Sequence, residues 1–205
     1  MRATETYEKQ IRRRSVSAGA QAYLTEHGIG EYAVARKYRL GYVAEPLQGD
    51  KSFAGRLAIP YLSKSGPVSI KFRRLGDSGA KFLYHTGQKH RLYNSAAYYD
   101  ADTTIGICEG EIDAIVATER LGVPTMGIPG AGAWQEKADI WSPVFKDFRR
   151  VWIFADGDEP GTNLANDIAS SLGWRARIVQ CAAGEDVGSM VAAGRADELR
   201  KLTEE

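Results

Sequence analysis

Five carboxylates in the second half of the chain have the type and spacing to hold a metal ion. They are Glu109, Asp113, Asp156, Asp158 and Asp186. Several like charges in one crevice repel each other strongly unless a cation lies among them. Carboxylate oxygens are the ligands that hard divalent cations prefer, so the set predicts an all-oxygen site for Mg²⁺.

The elements that must bring these carboxylates together are apolar runs that have the character of buried strands. One run, 104–108, leads directly into Glu109. Another, 151–155, leads into Asp156, and a third, 176–180, ends shortly before Asp186. The carboxyl ends of the strands in an open parallel sheet meet in one crevice. We therefore expect the three strand ends to converge.

Asp156 and Asp158 are the sharpest local signal. Alternate residues of a short extended stretch point the same way, so both carboxylates could hold one ion or two adjacent ions. Two Asp residues around a Gly are common in surface turns, but this pair follows an apolar strand and has a second acidic strand end as its partner. Glu109 and Asp113 span that second strand end and the first turn of the next helix. For Glu111, between them, we prefer ordinary helix-capping chemistry.

The second half of the chain alternates strands with helix-sized segments. A further strand at 123–126 leads into a glycine-rich turn at 127–132. Such alternation is typical of βαβ units with right-handed crossovers and a parallel sheet. The predicted helices cover 112–121, a segment from about 135, 161–172 and 187–202.

The first half of the chain has a different pattern. Short helices are predicted within 17–38, and the runs 57–61 and 68–72 predict a hairpin. We therefore predict an α/β protein: residues 100–205 form a domain with a central, mostly parallel sheet flanked by helices. A smaller basic α+β subdomain, residues 1–99, precedes it.

The charge is divided in the same way. Residues 1–99 carry 17 Lys and Arg against 7 Asp and Glu, whereas residues 100–205 carry 10 against 19. A nucleic-acid enzyme would need a basic half that binds phosphates, joined to an acidic half that binds metal ions. The alternative is that the two blocks attract each other across a domain interface. The run Arg12-Arg13-Arg14 is either a nucleic-acid contact or a solvated helix face.

The cysteines exclude one class of site. Cys108 and Cys181 lie in or near apolar strands, and no short Cys or His spacing supplies the four ligands of a structural zinc site. Two buried thiols suit a reducing cytoplasm. The sequence has no signal peptide and no apolar run long enough to span a bilayer, so we expect a cytoplasmic protein with no membrane partner.

Two of the acidic segments resemble a known family. Residues 107–114 (ICEGEIDA) resemble the hEGxxDA signature of Toprim domains, and residues 154–161 (FADGDEPG) resemble its DGDxAG signature, with Pro160 where Ala is usual. Gly184-Glu185-Asp186 is similar to a later motif, gkDPD. Toprim domains occur in primases, topoisomerases and some nucleases, so this resemblance alone leaves the reaction open.

The first half narrows the resemblance to DnaG-type DNA primases. Residues 53–60 (FAGRLAIP) are similar to that family's FxxRxxFP run, and residues 73–83 resemble its GRxL and KYL runs. Leu92-Tyr93-Asn94 resembles its LYG, with Asn94 in place of Gly. The ordered motifs cover roughly residues 20–190. The chain is thus identified as similar to a primase catalytic core with a Toprim domain.

The resemblance implies an activity and a set of roles. It implies a nucleotidyltransferase that joins nucleoside triphosphates into short RNA primers on a single-stranded DNA template, with two Mg²⁺ or Mn²⁺ ions. Asp156 and Asp158 would bind metal, and Glu109 would be a further ligand or an acid–base group. Asp186 would complete the metal surround. Asp113 would belong to the catalytic set, or would orient the site by hydrogen-bonding backbone.

The same resemblance implies that basic residues of the first half bind phosphate groups. Arg56, Arg74 and Lys81 match basic family positions and are candidates for binding the triphosphate or the template. Lys89 and Arg91 lie in a basic loop and are further candidates. Arg suits bidentate phosphate contacts, and Lys supplies a point charge.

The resemblance also implies what surrounds the core. Such primases normally carry a zinc-binding domain and often a helicase-interacting or helicase domain, for which 205 residues leave no space. We expect a stand-alone core of phage type in the host cytoplasm, with a replicative helicase or a separate zinc-binding protein as candidate partners. A Toprim nuclease and a non-catalytic, replication-accessory module that binds single-stranded DNA remain alternatives. A topoisomerase would need a Tyr-bearing strand-passage domain, which this length disfavours.

Overall fold

The computed structural model describes residues 2–204. Met1 and Glu205, the outermost residues of the two predicted domains, lie outside this range. The contacts within the chain divide it into two compact units, one ending at Lys89 and the other starting at His90.

This division comes earlier in the chain than the boundary that we predicted near Asp100. The difference has a physical cause, because the intervening segment packs on the second unit. Tyr93 forms a β-bridge with Gly127, and a short helix, Ala97–Asp100, contacts the strand that contains Gly127. Asn94 occupies the left-handed region with φ of 54°, which Asn tolerates better than most residues, and this explains how it replaces Gly there.

The first unit consists of three helices followed by a four-stranded antiparallel sheet. Its strands pair in the order of the sequence, so every connection is between neighbours. The predicted hairpin is the central pair of this sheet. The elements are α1 (Arg2–Ile11), α2 (Arg14–Glu26), α3 (Tyr32–Lys37), β1 (Gly41–Tyr42), β2 (Leu57–Ser63), β3 (Gly66–Arg73) and β4 (Phe82–Tyr84).

The sequence pattern did not indicate helix α1. Its apolar content is small, and its position depends on contacts that are distant in sequence. Tyr7 is fully buried in a core that includes Phe72, and its hydroxyl donates a hydrogen bond of 2.5 Å to Asp50. Tertiary packing of a few residues therefore stabilises a helix that local propensity leaves undetermined.

The second unit alternates strands and helices as predicted. After the short helix α4 (Ala97–Asp100), its strands and helices follow one another along the chain. They are β5 (Thr104–Glu109), α5 (Glu111–Val116), β6 (Thr125–Ile128), α6 (Ala131–Trp141), β7 (Arg150–Ala155), α7 (Glu159–Leu172), β8 (Ala176–Gln180), α8 (Val187–Ala192) and α9 (Ala196–Glu204).

The four strands of the second unit form one parallel sheet in the order β6-β5-β7-β8. Right-handed crossovers in this order place α5 on one face of the sheet and α6 and α7 on the other. The contacts agree, since α5 packs on α8 while α6 packs on α7. The predicted fold class, a parallel sheet flanked by helices and preceded by an α+β part, is confirmed.

The core of the second unit lies under α6 and α7. Trp134, Phe145 and Ile153 are almost completely buried there. Helix α6 begins at residue 131 rather than at about 135, because Gly130, with φ of 149°, already turns the chain into the helix. Among residues 2–204, no helix has both the length and the apolar composition that crossing a bilayer requires.

Candidate active site

The carboxyl ends of β5 and β7 lie side by side. The two strands are parallel neighbours, and Cys108 is opposite Phe154 in their register. Glu109 is the next residue after Cys108, and Asp156 comes two residues after Phe154, so both leave the sheet at the same edge. Both line one small cavity, together with Gly161 at the start of α7. The sheet topology thus brings together the two strand ends that the sequence singled out.

Two loops are locked together beyond this edge. The backbone N–H of Gly157 donates to the carbonyl of Glu185, and the N–H of Gly184 donates to the carbonyl of Gly157, each at 2.7 Å. A Cβ atom at position 157 would lie 1.7 Å from the carbonyl oxygen of Ala182. Only glycine fits this approach, which holds the loop carrying Asp156 against the loop that leads to α8.

Asp158 and Asp186 each cap the helix that follows. Asp158 Oδ1 accepts from the backbone N–H of Gly161 at 2.7 Å, at the start of α7. Asp186 Oδ1 accepts from the N–H of Ser189 at 2.7 Å, and the Ser189 hydroxyl accepts from the N–H of Asp186, which completes a capping box. These bonds fix the direction of both carboxylates, a structural use that the sequence analysis did not assign to them.

Asp113 joins α5 to α8. Its Oδ1 accepts a hydrogen bond of 2.8 Å from the backbone N–H of Gly188, in the first turn of α8. This is the backbone-orienting role that the sequence left open for Asp113. By holding α8, Asp113 fixes the position of Asp186, which caps the same helix.

The donor set at this edge fits a hard divalent cation in its chemistry. Glu109, Asp156, Asp158 and Asp186 supply oxygen ligands only. Within residues 2–204, no three His, Cys, Asp or Glu side chains are already grouped closely enough to hold an ion. The helix-capping bonds partly explain why the carboxylates are spread apart, because each bond engages one oxygen of Asp158 or of Asp186. The second oxygen of each receives no hydrogen bond from any described donor, so it stays available to a cation.

Two buried thiols lie close to these carboxylates. Burial raises the pKa of Cys181 to about 12, with further contributions from the negative charges of Asp156, Asp113 and Asp186. Burial also raises the pKa of Cys108 well above its usual value, and Asp113 and Asp156 add to that effect. Because Asp113 and Asp156 act on both thiols, these two carboxylates lie within electrostatic range of the same pair of sulfur atoms.

Both thiols should be almost unreactive in the folded protein. Alkylation requires the thiolate, and the raised pKa values leave only a minute thiolate fraction at pH 8. With iodoacetamide at pH 8, we expect modification to be at least about 100-fold slower than in guanidinium chloride, measured by intact mass. Rapid modification of the native protein would contradict the burial of Cys108 and Cys181.

Four of the five predicted phosphate-binding residues lie in the first unit, and Arg91 lies at the start of the second. Arg56 donates to the carbonyl of Ala80 at 2.9 Å, and Arg74 donates to the carbonyl of Gly79. Both guanidinium groups thus hold the loop that connects β3 to β4, and the exposed Lys81 follows directly. The structure brings these three predicted residues to one loop.

Lys89 and Arg91 lie at the passage from the first unit to the second. Both are exposed, and neither side chain makes a hydrogen bond or an ion pair among residues 2–204. No described contact places them against the other predicted basic residues. Sequence reasoning missed a buried network in the first unit, in which Asp50 accepts from Tyr7 and bonds to His85 at 2.9 Å. A lone Asp and a lone His 35 positions apart give no local signal for such a pair.

Comparison with known proteins identifies relatives of this chain. It is 41% identical over 152 residues to the Gene 57 protein of Mycobacterium phage D29, covering 72% of this chain and 97% of that protein. No protein-family model matches the chain.

Solved structures share its fold over nearly its whole length. A DNA primase domain from Pseudomonas aeruginosa superimposes with a TM-score of 0.77 at 21% identity, over 99% of this chain and 76% of that one. The RNA polymerase domain of Mycobacterium tuberculosis primase DnaG, in complex with a double-stranded DNA oligomer with a 6-nucleotide overhang, gives a TM-score of 0.76 at 20% identity, over 98% of this chain and 77% of that one. At this identity the similarity establishes the fold.

Proposed function

Because the chain belongs to the family of the Gene 57 protein of Mycobacterium phage D29 and has the fold of DnaG-type primase catalytic cores, we propose that it is a primase catalytic core. Its reaction would be nucleotidyl transfer: the 3′-hydroxyl of one ribonucleotide attacks the α-phosphate of a nucleoside triphosphate, and pyrophosphate leaves. The products would be short RNA primers on single-stranded DNA.

One observation carries this proposal. Glu109 and Asp156 leave adjacent parallel strands at the same edge, and the Gly157 loop holds Asp156 and Asp158 there. A surface turn rich in Asp would not need a glycine so closely opposed to another backbone. The arrangement concentrates negative charge where the fold forms its crevice, which favours a cation-assisted phosphoryl reaction.

The carboxylates would have different roles at the proposed site. Asp156 and Asp158 would hold the divalent ions, Mg²⁺ or Mn²⁺, and Asp186 would add a ligand. Bound cations of this kind stabilise the attacking and leaving oxygens of an in-line displacement. Glu109, on the neighbouring strand, would add a ligand or accept the proton of the attacking hydroxyl. Asp113 acts through α8, as a positioning residue for Asp186.

The basic residues would bind the phosphate groups that the metal ions do not contact. Arg56 and Arg74 order the β3–β4 loop, and Lys81 projects from it toward solvent. These charges, with Lys89 and Arg91, would contact the triphosphate and the template backbone. The M. tuberculosis structure, which contains DNA with a single-stranded overhang, supports single-stranded DNA as the template partner.

The experiment is incorporation of labelled ribonucleotides on single-stranded DNA, with Mg²⁺ or Mn²⁺, resolved by product length. We expect short RNA products that require the template and all four triphosphates. A parallel series adds a replicative helicase and, separately, a zinc-binding primase domain, since these are the partners that the resemblance to DnaG-type primases implies. Cleavage of labelled DNA without nucleotides, with no RNA in any series, would replace the primase assignment by a nuclease one.

A further inference from the structure

The first unit contains a groove that the proposed reaction does not use. It lies among α1, α2 and α3 and has a volume of about 320 Å³. Its lining includes the half-exposed ring of Tyr32, the carboxylate of Glu8 and three arginines, which are Arg12, Arg14 and Arg36.

The structure separates the three consecutive arginines of the sequence. Arg12 and Arg14 line the groove, whereas Arg13 is directed to Glu45, with an Nη1 to Oε1 distance of 3.0 Å. The groove adds Arg36, which comes from α3, to two members of the run.

The groove has an excess of positive charge. Glu8 is already engaged twice, because it accepts from Arg12 at 2.6 Å and from Arg39 at 3.2 Å. No carboxylate among residues 2–204 pairs with Arg14 or Arg36, and both side chains are exposed. Guanidinium groups that line one groove in excess of the carboxylates there favour an anion with several oxygens, such as a phosphate.

The start of α2 supplies no counter-charge of its own. Arg14 lies in a short first turn that a kink at Ser17 separates from the rest of the helix. This turn contains no acidic residue, and no side chain caps it. An aromatic ring completes the site, since the Arg12 guanidinium lies 5.3 Å from the centroid of Tyr32.

We propose that this groove binds a nucleotide, with its phosphate on Arg12, Arg14 and Arg36 and its base against Tyr32. The volume suits one nucleotide unit, and base stacking on an aromatic ring beside arginine is a general mode of nucleotide recognition. The nucleotide would be either free or part of a single strand. The site lies wholly in the first unit and does not depend on the carboxylates of the proposed active site.

The test is calorimetric titration of the full chain with adenosine 5′-monophosphate and with adenosine, in EDTA. Chelating divalent ions separates this site from the carboxylate edge, so the result stands whether or not primer synthesis is found. The variants are Arg14→Ala, Arg36→Ala, Tyr32→Ala and, as the matched control from the same run, Arg13→Ala. Circular dichroism verifies that each variant is folded.

We expect saturable binding of the monophosphate and at least about tenfold weaker binding of adenosine, since arginine bonds to a charged phosphate are lost. Arg14→Ala and Arg36→Ala should each weaken binding about tenfold, and Arg13→Ala should change it less than about twofold. Competition by single-stranded oligothymidylate would identify the strand as the source, and no competition would identify the free nucleotide. Equal affinity for adenosine, or equal loss in Arg13→Ala and Arg36→Ala, would overturn the proposal.

Discussion

The Asp158→Asn protein should fold as well as the parent chain and lose primer synthesis. Asparagine caps helices as well as aspartate does, so the bond from the Gly161 N–H survives and unfolding free energy changes by about 1 kcal/mol or less. The carboxylate charge is gone, however, and with it a ligand for the cation. Metal-derived stabilisation is worth several kcal/mol in such reactions, so we expect the rate to fall about 100-fold or more.

The measurement compares primer synthesis and thermal unfolding in one set of variants. Asp158→Ala removes the cap as well, and should lose activity together with about 1 kcal/mol of stability. Asp197→Asn is the matched control, because Asp197 is an exposed acid in α9 of the same unit and, within residues 2–204, pairs only with Arg200. It should keep full activity. An Asp158→Asn protein with parental activity would leave Asp158 as a helix cap and nothing more.

The Gly157→Ala protein should be strongly destabilised. The new methyl group would lie 1.7 Å from the carbonyl oxygen of Ala182, so one of the two interlocked loops must move. The clash is with a backbone atom, so no flexible side chain can move aside to relieve it. We therefore expect the free energy of unfolding to fall by about 3 kcal/mol or more. For a chain of this size that is a melting temperature lower by roughly 6–12 °C. Primer synthesis should also be lost, since Asp156 flanks the displaced residue.

Gly132→Ala is the control for this substitution. Gly132 lies inside α6, and a Cβ atom there would meet no atom within 4 Å. Alanine should therefore be neutral or slightly stabilising, by up to about 1 kcal/mol. Differential scanning fluorimetry of both variants makes the comparison. A Gly157→Ala protein that melts within 2 °C of the parent, about 1 kcal/mol or less, would contradict the locked-loop geometry.

The apolar runs of the sequence predicted the strands that carry the site. Strand β8 has the predicted bounds, although most of its residues are not buried. Strands β5 and β7 each differ from the prediction by one residue, because buried parallel strands form continuous apolar runs. From these bounds, the placement of Glu109 and Asp156 at strand ends followed directly. Their proximity required the additional rule that parallel strand ends converge.

The rest of the site depends on features that have no local pattern. Strand order decides that the Gly157 loop lies beside the loop that ends at Asp186, and periodicity carries no information about strand order. The bond between Asp113 and the Gly188 N–H joins positions 75 residues apart. The caps at Asp158 and Asp186 were within reach of the sequence, since both acids directly precede helical segments. Reading them as metal ligands alone concealed this second role.

The most direct test of the central claim is binding of Mn²⁺ to the isolated chain, followed by electron paramagnetic resonance. It requires neither template nor partner proteins, so it addresses the carboxylate site by itself. We predict saturable Mn²⁺ binding that Mg²⁺ displaces, that Asp156→Asn abolishes and that Asp197→Asn leaves unchanged. If Mn²⁺ binds Asp156→Asn as tightly as it binds the parent chain, the carboxylate edge does not hold the metal.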